Sequence, residues 1–162
     1  LFFSAYKLFG LNSFLFHVLT FSIFLLLILS IYKLLNQLFK SQKQALIGAF
    51  LYATSPIHYM SLSWISTTSY ILGPLFSSLS FLFFLHFLEK KQTRNYILSF
   101  VLFSFGVASS EFVLVLPIIF SIYCYLFKKF AYIKYIMPFF FVDFVYALLR
   151  FIIFSLPFSG DF

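Results

Sequence analysis

The stretch FLFHVLTFSIFLLLILSIYKLL, which runs from Phe14 to Leu35, decides the fold of this chain. Lys33 is its only basic or acidic residue apart from His17, and nearly all the others are aliphatic or aromatic. At 1.5 Å per residue, its roughly 22 residues are enough to span the roughly 30 Å hydrocarbon layer of a bilayer. The sequence therefore predicts a transmembrane helix here.

The composition extends this prediction to the whole chain. Hydrophobic residues make up 63% of the 162 positions and charged residues only 9%, which leaves too little polar surface for a soluble globule. The net charge of +7 could indicate nucleic-acid binding, but the basic residues flank apolar runs instead of forming a stripe beside exposed aromatics. We therefore predict a protein of the lipid bilayer that does not bind nucleic acid.

Further apolar runs predict an all-α integral membrane fold with about six transmembrane helices. After the first, they are Gln44 to Ser55, Tyr70 to Leu88, Tyr96 to Ser109, Val113 to Phe127 and Tyr135 to Leu156. Two of the outgoing helices are short, and 12 residues cover only about 18 Å. We expect one membrane domain over residues 1–162, part of a larger helical bundle.

A helix break is predicted at Pro56, which removes a backbone donor and disfavours helical geometry at Ser55. Because both short helices would end below the outer membrane surface, the irregular backbone after them must be enclosed by protein or line a wet cavity. The sequence thus predicts a recessed pocket at one face of the membrane.

Clustered positive charge predicts the orientation. Nine of the eleven Lys and Arg residues form three clusters at the ends of apolar runs: Lys33, Lys40 and Lys43, then Lys90, Lys91 and Arg94, then Lys128, Lys129 and Lys134. The chain between clusters can cross the bilayer out and back, so all three can face the cytosol, as the positive-inside rule requires. The opposite, extracytoplasmic side then receives Pro56, His58, Trp64, Glu111, Arg150 and Asp161.

Glu111 and His58 are the candidate catalytic residues. A carboxylate at membrane depth persists with a partner, a proton or a task, so Glu111 is a candidate general base, metal ligand or hydrogen-bond acceptor, unless it lies in interfacial water. His58 could bind a metal, transfer a proton or donate to a phosphate, or it could simply bond the backbone of its loop. A divalent cation, if one binds, would use these two side chains.

Candidate binding residues are Arg150 and Trp64. The planar guanidinium of Arg150 could bind a phosphate through two hydrogen bonds or extend to the headgroups. Trp64 could stack on a sugar or anchor at the membrane interface. Asp143 lies about 10 Å below Arg150 on the same helix, so its partner is expected on another helix. Cys124, the only cysteine, is expected to be a packing residue.

Familiar soluble motifs are absent from the sequence. It contains no phosphate-binding loop, no Gly-rich nucleotide motif, no Cys and His zinc pattern and no serine hydrolase motif. These absences disfavour soluble nucleotide chemistry. An activated donor that is itself a membrane lipid stays open.

Three motif groups occur in order along the chain. They are Leu8-Phe9-Gly10-Leu11-Asn12, then Ser55-Pro56-Ile57-His58 with Ser63-Trp64-Ile65-Ser66, then Ser109-Ser110-Glu111 with Val115-Leu116-Pro117. In order and spacing they resemble the GT-C glycosyltransferases, polytopic enzymes that take sugars from polyprenyl-phosphate carriers, such as protein O-mannosyltransferases and aminoarabinose transferases. The resemblance covers nearly all of the chain. The chain departs from the family pattern at Ser55 in place of His, Ser110 in place of Lys, and Thr67 and Thr68 where an Arg and an acidic residue are common.

The resemblance implies sugar transfer from a polyprenyl-phosphate-linked donor to a protein, lipid or glycan. Transfer would take place on the extracytoplasmic side of a bacterial plasma membrane or of an ER-type membrane. Arg150, with His58, would neutralise the leaving phosphate, and Glu111 would orient the acceptor or share a divalent ion with a further carboxylate. The family's catalytic carboxylate lies in its first outer loop, upstream of Leu1. Since the chain has no start Met, we expect it to be a fragment that lacks this group.

Two other functions are compatible with these residues. In a transporter or flippase, Glu111, Asp143 and Arg150 would form a proton or substrate path through the bundle. A transporter needs access from both sides, whereas the pocket candidates gather on one. In a purely structural subunit, Glu111 and His58 would be freely replaceable.

Overall fold

The computed structural model describes residues 13–64 and 67–154, and these residues form helices with no strand among them. The α-helices in this part of the chain are α1 Ser13–Phe39, α2 Gln42–Ala53, α3 Tyr59–Ser63, α4 Ser69–Lys90, α5 Thr93–Ser109, α6 Leu116–Leu126 and α7 Met137–Phe154. Short 3-10 turns occur at Pro56–His58, Glu111–Val115 and Phe130–Tyr135. The all-α prediction is confirmed.

Three apolar stretches among the described residues are long enough to cross a membrane: Phe14–Phe39, Ser69–Lys90 and Phe130–Ile152. A shorter apolar helix covers Glu111–Leu126. Each of the six predicted helices overlaps an observed α-helix, but α2, α5 and α6 are only 12, 17 and 11 residues long. Six membrane crossings therefore stay a prediction, and the predicted end of the last helix at Leu156 lies outside the described residues.

The chain divides into two compact units, Leu1–Val113 and Leu114–Phe162. The expectation of one membrane domain over residues 1–162 stays a prediction.

Helices α1 and α4 of the first unit run parallel. Phe24 of α1 shares an apolar cluster with Ile71 near the start of α4. At the other end of both helices, Gln37 Nε2 donates to Glu89 Oε2 at 2.7 Å. Since both helices make their contacts in the same chain order, they point in the same direction.

Helix α5 returns antiparallel along α4. Near the start of α5, the rings of Phe87 and Tyr96 lie 5.2 Å apart, and midway along the pair Ser80 meets Ser99. Each of these two serine hydroxyls donates to the other residue's carbonyl oxygen at 2.8 Å, and both residues are fully buried. Hydrogen bonds between helices satisfy hydroxyl groups that lipid cannot.

These directions give the first unit two distinct ends. The α1–α2 and α4–α5 turns lie together at one end, which we call the basic end for its residues Lys40, Lys43, Lys90, Lys91 and Arg94. The other end, which we call the polar end, carries residues 54–64, 67–68 and 110–113. Between Ile71 and Lys91, α4 rises about 30 Å, the thickness of the hydrocarbon layer. The predicted separation of basic turns from polar loops is confirmed within this unit.

The second unit is a helix pair joined by a 3-10 turn. The rings of Phe120 and Phe139 pack edge to face with centroids 5.3 Å apart, and both side chains are fully buried. Cys124 is likewise fully buried and free, so the packing prediction for it is confirmed. The apolar side chains of α7 are mostly exposed, as is usual for a helix that faces lipid or further protein.

Candidate functional site

The polar end begins where α2 stops at Ala53. Thr54 caps α2, and Pro56 occupies the first position of the 3-10 turn Pro56–His58, where its missing N–H leaves no intrahelical bond unmade. The predicted break at Pro56 is confirmed. The turn leads directly into the short helix α3, so the loop is compact from its start.

His58 is buried in this loop, with only 7% of its surface exposed. Its Nε2 lies 3.0 Å from the carbonyl oxygen of Tyr52, to which a protonated Nε2 donates. Its ring packs against Phe24 and Tyr52, with centroids 5.0 and 4.5 Å away. Of the hypotheses left open by the sequence, these contacts are nearest to a histidine that bonds backbone, although the carbonyl belongs to the last turn of α2 and not to the loop itself. His58 thereby holds the loop against α1 and α2.

Trp64 closes α3 with its indole 68% exposed. The Trp64 carbonyl accepts hydrogen bonds from the Thr67 hydroxyl at 2.7 Å and from the Thr67 N–H at 3.1 Å. Tyr59 and Met60 on the same short helix are exposed as well. The polar end therefore presents a cluster of exposed aromatic and apolar side chains, compatible with sugar stacking and with interfacial anchoring.

Glu111 is exposed and opens the 3-10 turn that follows α5. Two glycines allow this turn to lie directly on α4 and α5. A Cβ atom on Gly73 would stand 2.6 Å from the Ser110 Cβ, and one on Gly106 would stand 3.0 Å from Val113 Cγ1. Val113 is only 2% exposed. The turn that carries Glu111 thus packs closely against two helices. We call the contacts of Gly73 with Ser110 and of Gly106 with Val113 the glycine seat.

The structure brings the His58 loop and the Glu111 turn to the same end of α4. His58 reaches α4 through the Phe24 cluster that contains Ile71, whereas the Glu111 turn contacts Gly73. Residues two apart differ by roughly 200° around a helix and by about 3 Å along it. The two segments therefore pack on opposite sides of α4 at nearly the same height.

Arg150 and Asp143 lie on α7 in the second unit, separated by seven residues as the sequence requires. Arg150 is exposed. Among the described residues, Asp143 Oδ1 is a buried oxygen without a hydrogen-bond partner. The expectation that this carboxyl takes its partner from another helix stays a prediction.

Several predicted positions cannot be placed. Asp161, the Leu8–Asn12 motif, and Ile65 and Ser66 of the motif that contains Trp64 lie outside the described residues. Within residues 13–64 and 67–154, no group of three or more His, Cys, Asp or Glu side chains could hold a metal ion. The use of His58 and Glu111 as metal ligands stays a prediction.

A groove of about 360 Å³, which the sequence did not predict, lies between the first turns of α1 and helix α3. Its lining residues are Phe14, His17, Val18, Phe21, Ser22 and Leu62. His17 is the titratable member. The first four recur at a spacing of three, four and seven residues, which marks one face of a helix and could have revealed the groove.

Comparison with known proteins identifies the family. The family model for dolichyl-phosphate-mannose-protein mannosyltransferases matches residues 3–156, nearly the whole chain. No curated protein and no solved structure matches it. Together with the three apolar stretches, the match makes this an integral membrane protein. The chain therefore belongs to the dolichyl-phosphate-mannose-protein mannosyltransferase family, whose members are membrane glycosyltransferases of the GT-C kind.

Proposed function

We propose that the protein transfers a sugar from a polyprenyl-phosphate-linked donor to an acceptor on the extracytoplasmic side of the membrane. Family membership supports glycosyl transfer. The extracytoplasmic assignment rests on the first unit's architecture. The Glu111 turn and the His58 loop lie at one end of this unit, and the basic turns lie at the other. Positive turns favour the cytosol, so the polar end faces outward.

The proposed roles follow from chemistry and exposure. Negative charge develops on the phosphate as the glycosidic bond to the sugar breaks, and the Arg150 guanidinium is suited to stabilise it with two hydrogen bonds. The exposed Glu111 carboxylate orients an acceptor hydroxyl or shares a divalent ion with another acidic group. Trp64 offers a ring face to the sugar. His58 acts as a positioning residue, because its Nε2 already bonds Tyr52.

A transfer assay tests these roles. The natural full-length protein in vesicles would receive a radiolabelled polyprenyl-phosphate sugar, and labelled acceptor would be counted. Glu111→Gln and Arg150→Ala are each expected to slow transfer by about tenfold or more, since a charge-assisted hydrogen bond lost in the transition state contributes about 1.5–3 kcal/mol. Glu89→Gln is the matched control, an exposed carboxylate at the basic end. Wild-type rates in both test variants would refute the assigned roles.

A transporter is the second candidate, and the buried Asp143 oxygen favours it. A carboxyl group within a membrane-spanning stretch, whose Oδ1 is buried without a hydrogen-bond partner among the described residues, suits a proton path. Proton-coupled uptake of a solute into vesicles, abolished by Asp143→Asn and retained by Glu111→Gln, would establish this function. Sugar transfer at the wild-type rate by Asp143→Asn, without uptake in any variant, would exclude it.

A further inference from the structure

Two helices of the first unit end in the same uncommon way. Lys40 follows α1 with a φ of 53°, and Lys91 follows α4 with a φ of 54°. This left-handed conformation is costly for a residue with a Cβ atom, and helices that end in it usually place glycine there. The N–H of each lysine donates to the carbonyl four residues earlier, Asn36 and Phe87, at 2.9 Å. Each lysine therefore forms the backbone cap that terminates its helix.

The second unit repeats this feature. Lys128 follows α6 with a φ of 53°, and the N–H groups of Lys128 and Lys129 donate to the carbonyls of Tyr125 and Cys124 at 3.1 and 2.8 Å. None of the chain's five glycines occupies any of these cap positions. Lysine thus stands three times where glycine would cap the helix at a lower conformational cost.

Interaction with the helix dipole does not explain this choice. A cation near a helix C-terminus is stabilised by the partial negative charge of the last carbonyls. Lys90, inside the last turn of α4, gains this stabilisation with ordinary helical geometry. Lys91 adds a second cation at the position where it must adopt a left-handed backbone. Its side chain is exposed beyond the end of the helix and is free to make a further interaction there.

Within residues 13–64 and 67–154, no carboxylate forms an ion pair with the cations of the basic end. All five of its Lys and Arg side chains are exposed. Glu89 is the only acidic residue in the sequence of the two turns, and one of its oxygens already accepts a hydrogen bond from Gln37. Lys40 and Lys91 lie beyond the last turns of two parallel helices, about 30 Å from the polar end, and so at the depth of the lipid headgroups.

We propose that the basic end is a binding site for anionic phospholipid headgroups, with Lys40 and Lys91 as its principal phosphate contacts. The ligand is a lipid phosphate at the membrane surface whose negative charge is not balanced by a cationic group on the same headgroup. Each lysine close to an anionic membrane surface strengthens attraction to it by about fivefold in affinity. This attraction offsets the left-handed backbone that each lysine adopts.

Native mass spectrometry of the full-length protein in detergent tests the proposal. Phosphatidylglycerol or phosphatidylcholine with the same acyl chains would be titrated, and bound lipid counted. We expect the wild type to prefer phosphatidylglycerol, and Lys40→Gly/Lys91→Gly to weaken that binding by about 25-fold, roughly fivefold for each lysine. Melting of this variant in lipid-free detergent, followed by circular dichroism, should occur at the same or a higher temperature, because glycine accepts a positive φ freely.

The matched control is Lys40→Arg/Lys91→Arg, which keeps both charges and should keep the lipid preference. Inorganic phosphate at equal concentration distinguishes a soluble ligand from a lipid, and it should not displace phosphatidylglycerol. The proposal is overturned by wild-type lipid binding in the double glycine variant, by displacement with inorganic phosphate, or by a lower melting temperature of the glycine variant. The last result would mean that the lysines cap their helices better than glycine does.

Discussion

Gly73 and Ser110 approach so closely that a methyl group on Gly73 would stand 2.6 Å from the Ser110 Cβ. Gly73 therefore controls how near the Glu111 turn lies to α4. The contact lies within the first unit, and it joins the turn that carries Glu111 to the largely buried face of α4.

We predict that Gly73→Ala destabilises the protein by about 1–3 kcal/mol and displaces the Glu111 turn, because neither backbone can yield without repacking. The same 2.6 Å distance occurs at Gly48, but there the neighbour is the Cδ1 atom of Leu35, the far end of a flexible side chain. Gly48→Ala is thus the matched control, expected to be neutral or stabilising. Adding Ser110→Gly to Gly73→Ala should restore both melting temperature and sugar transfer. If the rescue fails while Gly48→Ala behaves as expected, the seat does not position Glu111.

Besides their separate bonds to each other's carbonyls, the hydroxyls of Ser80 and Ser99 lie 3.2 Å apart, and this contact between side chains predicts coupling between α4 and α5. Ser80→Ala and Ser99→Ala should each cost about 0.6 kcal/mol, the average for interhelical hydrogen bonds in membranes, and the double variant should cost less than the sum. Chemical or thermal unfolding in one detergent measures the cycle. Ser104→Ala is the control, since its hydroxyl donates only to Phe100 of its own helix at 3.0 Å. Additive effects would contradict a direct interaction.

We predict that substitutions of His58 act mainly by lowering the folding stability, and that sugar transfer falls as a consequence. His58→Ala removes the ring packed between Phe24 and Tyr52 and should lower stability by about 2–4 kcal/mol. His58→Phe keeps a ring but removes the donor to the Tyr52 carbonyl, which still accepts from Ser55 N–H at 3.2 Å, so about 1 kcal/mol is expected. Melting temperature and transfer rate should fall together. A His58→Phe protein with wild-type melting but a transfer rate at least tenfold lower would indicate direct contact with substrate.

The predicted membrane orientation can be tested by labelling cysteines introduced at the two ends of the first unit. In a Cys124→Ser background, Phe112→Cys places a thiol at an exposed position of the Glu111 turn, and Gln92→Cys places one in the α4–α5 turn. An impermeant maleimide added outside intact cells should label only Phe112→Cys. The wild-type protein should stay unlabelled, because Cys124, the one cysteine of this sequence, is buried. Labelling of Gln92→Cys alone would invert the proposed topology and place the polar end in the cytosol.

The sequence predicted the helices well because apolar runs and Pro56 act locally. It was less exact at helix ends. The first helix was predicted to stop at Leu35 but continues to Phe39, since Gln37 finds a partner in Glu89 on another helix. Such a partner is a product of the fold and leaves no local signal.

The candidate site shows the same limit. The sequence singled out His58 and left its role open, because the Tyr52 carbonyl that it bonds becomes available only when α2 ends at Ala53 and the chain turns back. The glycine seat was not predicted at all. A glycine within an apolar helix is compatible with many packing arrangements, and only the antiparallel course of α5 brings Ser110 onto Gly73.

The Ser30 hydroxyl bears on how the protein is made. It lies 2.6 Å from the Ser78 hydroxyl, a residue synthesised 48 positions later, and it also donates to the Leu27 carbonyl of its own helix at 2.8 Å. A newly inserted α1 can therefore remain in lipid with this group already satisfied until α4 emerges from the ribosome and enters beside it. The membrane insertion machinery need not hold α1 back, and the pairing of α1 with α4 becomes a late, post-insertion step of biogenesis.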